Sequence, residues 1–350
     1  MIALRQCFRI LGTAALALTV AAGLSSARAQ TPTKISIALA GGELVIFAPI
    51  LVAVGSKAFE KRGIQAELQS FGGGVPSFAA LVGGSTEFGL GGPGQVLAAA
   101  SQGRDVVGMF NMFHGGAVVF MGPKKYEQSR GRDLKKYDGS TWAYTAEGAT
   151  SQIFMTMAAQ SAGLDWNKQG RLPAGGVDAF IPALESGRAD LITMDMTSAA
   201  KAIKLGIGYP VLNTDDAAEV EHIWGRQLGL PLSTTRTFIN KNPKVTQDVA
   251  DAMREGLLLV QKYANDPATL YKLMPASFRE ANKEEDFRLQ WELAKPAFAN
   301  VDGTFSDKAI ADTLKFVKGA GQKGLDNLDV SKYLDNTWAK KAIENVPSVK

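Results

Sequence analysis

The stretch FGGGVPSFAALVGGSTEFGLGGPGQVLAAASQG, residues 71–103, decides the fold. Gly72, Gly73 and Gly74 permit a sharp turn, Pro76 opens a helix through Leu81, residues 86–90 read as a short strand, and Pro93 opens a second helix ending at Gly103. Upstream, Ile35, Ile37 and Leu39 alternate as a strand broken by Gly41 and Gly42. Residues 48–61 then read as a helix stopped at Gly63, and residues 64–70 as a strand leading into the glycine run. Downstream, residues 106–110 form a further strand. Strands alternating with helices of this length predict an α/β chain with a parallel sheet covered on both faces.

The same grammar recurs 103 residues later. That shift brings Gly72-Gly73 onto Gly175-Gly176, Ala80-Leu81 onto Ala183-Leu184, Gly84 onto Gly187, Glu87-Phe88 onto Asp190-Leu191 and Gly103 onto Gly206. Two similarly built lobes follow. The second takes strands from residues 117–121, 140–145 and 189–193 and helices from 150–162 and 196–205, and residues 208–213 form the strand that carries the chain back. Residues 231–240 read as one more strand. The remainder reads as helices, 244–264, 267–274, 283–295, 307–318 and 330–344, expected to wrap the first lobe. The expected architecture is discontinuous: residues 31–110 and 212–350 in lobe one, 111–211 in lobe two, and two hinge crossings near Asn111 and Asn213.

Of 350 residues, 46% are hydrophobic and 21% charged, which suits a globular chain with two cores and excludes disordered and collagen-like classes. Arg5 and Arg9 precede or enter an apolar stretch over residues 10–24, and Ala27-Arg28-Ala29 follows, the pattern of a signal peptide cleaved after Ala29. Beyond it, 35 basic residues face 34 acidic ones, so charge gives no reason to expect nucleic acid or an anionic membrane as partner. Cys7, the only cysteine, falls within that leader, which leaves the mature chain no disulfide, thiolate metal site or cysteine-dependent catalysis.

In open parallel sheets ligands bind beyond the carboxyl ends of strands, where helix N-termini offer unpaired amides. Loops 41–47, 72–77, 91–93, 147–151 and 194–197 occupy such places. They nominate Gly74, through bare backbone, and Ser77, Thr150 and Ser151, through hydroxyls at helix starts; plain N-capping is the competing role of the hydroxyls. Asp195 falls in the slot of Gly92 under the shift of 103, where a carboxylate suits an amine, ring nitrogen or hydroxyl, or else caps a helix; Glu43 stands in the first loop. His114, just past the first crossing, faces the cleft or is a polar hinge residue. The glycine run lacks the Gly-Lys-Ser/Thr of a phosphate-binding loop, and neither histidine sits in a triad or HExxH pattern, so no catalytic residue, metal or cofactor is assigned.

Residues 34–42 (KISIALAGG), 71–103, 133–165 (DLKKYDGSTWAYTAEGATSQIFMTMAAQSAGLD) and 185–195 (ESGRADLITMD) together resemble the substrate-binding proteins of ABC importers, in the nitrate, sulfonate, taurine and thiamine-precursor group. The resemblance implies a two-lobed periplasmic binding protein fold of type II, the Venus flytrap. It implies a protein that closes on a small molecule and hands it to a membrane permease driven by an ATPase; a monomer is expected. Gly42, Ser77, Gly92, Thr150 and Ser151 would hold the ligand. No Lys or Arg lies in the candidate loops, which speaks against nitrate or a small sulfonate and for a carboxylate with a donor group or a neutral heterocycle. An enzyme on the same fold and a periplasmic sensor subunit stand as alternatives, although the cysteine-rich signature of pyrimidine-forming relatives is absent.

Overall fold

The computed structural model describes residues 31–349; the expected leader, 1–29, lies outside them. In chain order the strands are β1 (Thr33–Ala40), β2 (Ile64–Phe71), β3 (Phe88–Leu90), β4 (Val107–Asn111), β5 (Val119–Pro123), β6 (Thr141–Tyr144), β7 (Gly170–Pro173), β8 (Leu191–Met194), β9 (Gly208–Asn213) and β10 (Pro231–Thr234). They form two five-stranded sheets, ordered β2-β1-β3-β10-β4 and β7-β6-β8-β5-β9. β1 is parallel to β2 and β3, and β6 to β7 and β8. The odd strand in each sheet is antiparallel: β10 between β3 and β4, β5 between β8 and β9. Each sheet thus combines four strands of one plan with the first strand that follows a passage of the chain from the other sheet. Ile37, Ala38 and Leu39 are fully buried, as a central strand covered on both faces requires.

Helices α1 (Ala48–Gly55), α2 (Gly74–Val82) and α3 (Pro93–Ser101) follow strands of the first sheet, and α4 (Thr150–Ser161), α5 (Phe180–Glu185) and α6 (Met196–Lys204) those of the second. The repeat read from the sequence is present at the level of dihedral angles. Gly84 and Gly187 close equivalent helices at φ 74° and 71°, and Gly103 and Gly206 at 71° and 68°, the left-handed conformation for which glycine is suited. Gly92 (φ −62°, ψ 154°) and Asp195 (φ −63°, ψ 162°) are equivalent N-caps.

Several boundaries differ from the sequence reading. The helix expected over residues 48–61 stops at Gly55, where a Cβ would lie 2.0 Å from the Leu273 carbonyl oxygen; the chain then turns through Lys57 (φ 61°) and a 3₁₀ turn, Glu60–Arg62, to Gly63. The strand expected over residues 231–240 ends at Thr234. Its continuation is α8 (Arg236–Lys241), after α7 (Ala217–Trp224), because the Thr235 hydroxyl accepts the Phe238 N–H at 3.0 Å and starts a helix. Edge strand β7 escapes the pattern since its residues are mostly exposed.

The chain continues as α9 (Pro243–Lys262), α10 (Pro267–Leu273), α11 (Ala276–Ala281), α12 (Glu284–Ala294), α13 (Asp307–Gly319) and α14 (Thr337–Asn345). These helices do not merely wrap the first sheet. α9 crosses α1 so closely that a Cβ on Gly256 would meet the Pro49 carbonyl oxygen at 2.1 Å. α12, however, packs on α6 of the second sheet, where Lys204 Nζ donates to Glu285 at 3.2 Å and to Asp286. α13 lies against both α3 and α4. The helical remainder therefore braces one sheet against the other.

Two segments, 112–118 and 214–230, connect the sheets side by side. Gly115 N–H donates to Gln227 O and Gly229 N–H to Phe113 O, both at 3.0 Å. Ala117 N–H donates to Asp215 Oδ1 at 2.9 Å, and the Thr214 hydroxyl to Val118 O at 2.7 Å. Asp215 is buried, and its Oδ2 has no partner among the described residues.

Candidate functional site

A cavity of about 70 Å³ lies between the carboxyl ends of strands from both sheets. Gly73 and Gly74 at the start of α2 and the hydrophobic residues Leu44 and Phe47 form one side; Thr145, Thr150 and Ser151 at the start of α4, with Val177, Phe180 and Asp195, form the other. Gly116, Ala117, Val118 and Leu230 from the two connecting segments form its floor. The volume falls well below the roughly 300–1,000 Å³ of drug-sized pockets, so this conformation fits only a small guest.

The first N–H groups of a helix have no intrahelical acceptor. The amides of Gly74 and Val75 on one side and of Thr150 and Ser151 on the other donate to nothing among the described residues. Two helix N-termini, each a concentration of positive potential, thus converge on one cavity from different sheets. The Ser151 hydroxyl is 2.7 Å from Thr145 Oγ1 and accepts the Thr145 N–H at 3.2 Å, which fixes both side chains. Among the described residues of the wall, Asp195 is the one ionisable group. Its Oδ1 accepts the Ser198 N–H at 2.9 Å and its Oδ2 the Ser198 hydroxyl at 2.6 Å. Burial pushes this carboxyl above the ordinary aspartate range, against the pull of those bonds. The capping role and the place in the wall belong to the same residue. Asp195→Ala is expected to lower stability by roughly 1 kcal/mol through loss of the cap, read as a shifted urea midpoint at unchanged m.

The nine residues nominated from sequence separate into groups. Gly74, Thr150, Ser151 and Asp195 line the cavity together. Gly92 stands at its edge, facing Thr150 so closely that a Cβ would come within 2.1 Å of Oγ1. Ser77 is fully buried and donates to Ala38 O at 3.0 Å, pinning α2 onto β1 rather than facing the cavity. Gly42 (φ 92°) turns the chain after β1, with Ser70 as its nearest neighbour. The Glu43 carboxylate accepts from the Ser277 hydroxyl at 2.8 Å and ties its loop to α11, outside the wall. His114 pairs with Leu228 as an isolated bridge, and its Nδ1 is 3.2 Å from Gln227 O. It lines a separate cavity of about 110 Å³ at the connecting segments, with Asp215 and Arg226. Thr145, Phe180, the 116–118 segment and Leu230 were not nominated. Thr145 ends a strand ahead of a nominated loop, and that position was the available signal.

The profile of the NMT1-like family matches residues 30–272, more than half of the chain. The chain belongs to the NMT1-like family. No curated protein matches this NMT1-like chain in sequence. Among solved structures it is similar to a protein of Bordetella bronchiseptica RB50, with TM-score 0.78 and 19% identity over 91% of this chain and 99% of that one. It is similar to the ligand-binding component of an ABC-type import system of Staphylococcus aureus with zinc bound, with TM-score 0.71 and 13% identity over 89% and 99% of the two chains. The third is the alkanesulfonate-binding protein of Xanthomonas axonopodis pv. citri bound to MOPS, with TM-score 0.66 and 16% identity over 84% and 96%. At these identities the likeness shows the fold. The NMT1-like chain has the α/β periplasmic binding protein fold, as its sequence resemblance implied.

Proposed function

We propose that this protein is the solute-binding component of an ABC importer: exported to the periplasm with cleavage after Ala29, it captures a small organic molecule between two lobes and presents it to a membrane permease powered by an ATPase. Lobe one comprises residues 31–110 and 212–350, lobe two residues 111–211, and the segments near Asn111 and Asn213 act as hinges. The observation that carries this reading is the pair of unpaired helix N-termini, α2 and α4, meeting from different sheets at one cavity. Family membership and the fold of import-system binding components support it.

The wall suits a small organic acid with an aliphatic body and one donor group. Its acceptor end takes the amides of Gly74 and Thr150, its body lies against Phe47, Val177 and Phe180, and its donor reaches Asp195. Nitrate and compact sulfonates gain less here, since no cationic side chain among the described residues lines the cavity. Binding without turnover fits a wall whose one ionisable group already caps a helix. Closure from ~1% to ~99% needs about 5.5 kcal/mol of differential contact energy, within reach of a few hydrogen bonds and buried methyl groups. A melting-temperature screen of lactate, 2-hydroxyisobutyrate, alanine, isobutyrate, taurine and nitrate tests the reading. A hydroxy or amino acid at 100 times its Kd stabilises by about 2.7 kcal/mol and compacts the chain in small-angle scattering. A nitrate or taurine hit overturns the ligand class, saturation without compaction overturns the closing mechanism, and conversion of a bound acid overturns the transport reading.

A further inference from the structure

Three glycines near the cavity are explained by their own backbone: Gly41, Gly42 and Gly175 have φ of 98°, 92° and 92°, where side chains are strained. Gly176 and Gly92 are not. Gly176 has φ 166° and ψ 172°, and Gly92 has φ −62° and ψ 154°, conformations open to any residue. The equivalent of Gly92 in the second lobe is Asp195, which carries a side chain at the same angles. What these two glycines lack is room across the cleft. A Cβ on Gly176 would stand 2.9 Å from the Gly72 carbonyl oxygen, and a Cβ on Gly92 would stand 2.1 Å from Thr150 Oγ1. Gly72 lies against the same turn, where a Cβ would make an ordinary van der Waals contact, 3.7 Å from the Gly175 carbonyl oxygen. The two repeat-equivalent glycine turns therefore meet backbone to backbone.

We propose that Gly176 against Gly72, and Gly92 against Thr150, form a two-point latch that sets how far the lobes close and, through it, the largest guest the cavity accepts. This rests on the reading of the cleft as a closing solute site. The latch and the wall are the same pieces of chain. Gly73, Gly74 and Val177 adjoin the first contact and line the cavity, and Thr150 belongs to both the second contact and the wall. A methyl group at position 176 meets a carbonyl oxygen that no rotamer change can remove, so the lobes must part by a fraction of an ångström and the cavity opens with them. At position 92 the obstacle is a hydroxyl that rotation of Thr150 can move, so Gly176 is the stronger point.

The test compares the parent chain with Gly176→Ala and Gly92→Ala, titrated with 2-hydroxybutyrate and the longer 2-hydroxyhexanoate. Gly176→Ala is expected to weaken the shorter acid roughly ten- to hundredfold, weaken the longer acid less, and leave the ligand-bound chain less compact in scattering. The ligand-free melting temperature should hold. Gly92→Ala should show the same trend more weakly. Equal affinities and equal compaction in parent and Gly176→Ala overturn the latch. Should neither acid bind the parent, the ligand class fails, and the latch is read without ligand: residues 31–350 contain no cysteine, and a Cβ on Gly73 would stand 3.8 Å from Thr145 Cβ across the same contact, so Gly73→Cys with Thr145→Cys is oxidised with diamide. Cross-linking upholds the backbone approach, and a pair that stays reduced overturns it.

Discussion

Trp291→Ala should destabilise the chain by roughly 3–5 kcal/mol, the cost of truncating a buried aromatic where neighbours cannot collapse into the space. Trp291 is fully buried in α12, stacked at 5.4 Å on Phe298 and at 6.2 Å on Phe287, with its Nε1–H donating to Ala264 O at 2.8 Å. Truncation removes both stacks and leaves the Ala264 carbonyl without that donor. The rings on either side belong to a rigid 3₁₀ turn and to the same helix, so little can fill the gap. Trp291→Phe keeps most of the ring area and loses the hydrogen bond, so it should cost about 1–2 kcal/mol. Urea unfolding followed by circular dichroism separates the two. Equal midpoints for Trp291→Ala and Trp291→Phe would show that the packing of α12 contributes nothing through its rings.

Stability should also fall as pH rises above about 6.5, because below that value two neighbours in the connecting segments offset each other. Burial, helped by the nearby Arg226 guanidinium, lowers His114 to about 4, so its imidazole stays neutral in the fold. The unfolded imidazole takes up a proton near pH 6.5, so the unfolded state binds more protons between about 6.5 and 4 and stability drops as pH falls through that window, by roughly 3 kcal/mol in full. Asp215 has the opposite sign. Burial pushes its carboxyl up to about 8, against donation from Ala117 N–H and Thr214, so the folded state keeps a proton that the unfolded state releases near 3.8. Its contribution is complete below pH 3.8 and is lost as pH rises through about 8. Between 4 and 6.5 the two oppose each other; above 6.5 Asp215 acts alone. Urea midpoints at pH 4.5, 6.5 and 8.5 should therefore decline from 6.5 to 8.5 in the parent and stay level over that step in Asp215→Asn, while His114→Gln, which leaves Asp215 unopposed, should raise the midpoint at 4.5 above that at 6.5. Identical alkaline slopes in parent and Asp215→Asn would remove Asp215 from the account.

The fold was readable in the sequence because its punctuation is repeated. Gly84 and Gly187, or Gly103 and Gly206, end equivalent helices in the left-handed conformation, and a shift of 103 residues aligns them without any structure. Elements held by distant packing were less readable. At Gly55, where α1 ends, the Leu273 carbonyl oxygen, more than 200 residues away, leaves no room for a Cβ, and no local pattern carries that information. Nothing local in the tail helices says which sheet each will meet, so their division between the two sheets is invisible until partners such as Lys204 and Asp286 are brought together. Thr150, Ser151 and Gly74, read from hydroxyls and glycines at helix starts, line one cavity, since a helix N-terminus is both a local signal and a chemical group. Ser77 obeyed the same local rule and turned inward to Ala38, a choice made by the third dimension.

The strut formed by α12 limits travel. Joined to α6 by an apolar seam and by Lys204, it leaves the hemispheres no free swing: to part, they must slide helix along helix or carry the strut with them. On the proposed closing mechanism, release of cargo is then geared to a shearing seam between α12 and α6, and raised salt, by loosening the lysine's grip, should speed exchange.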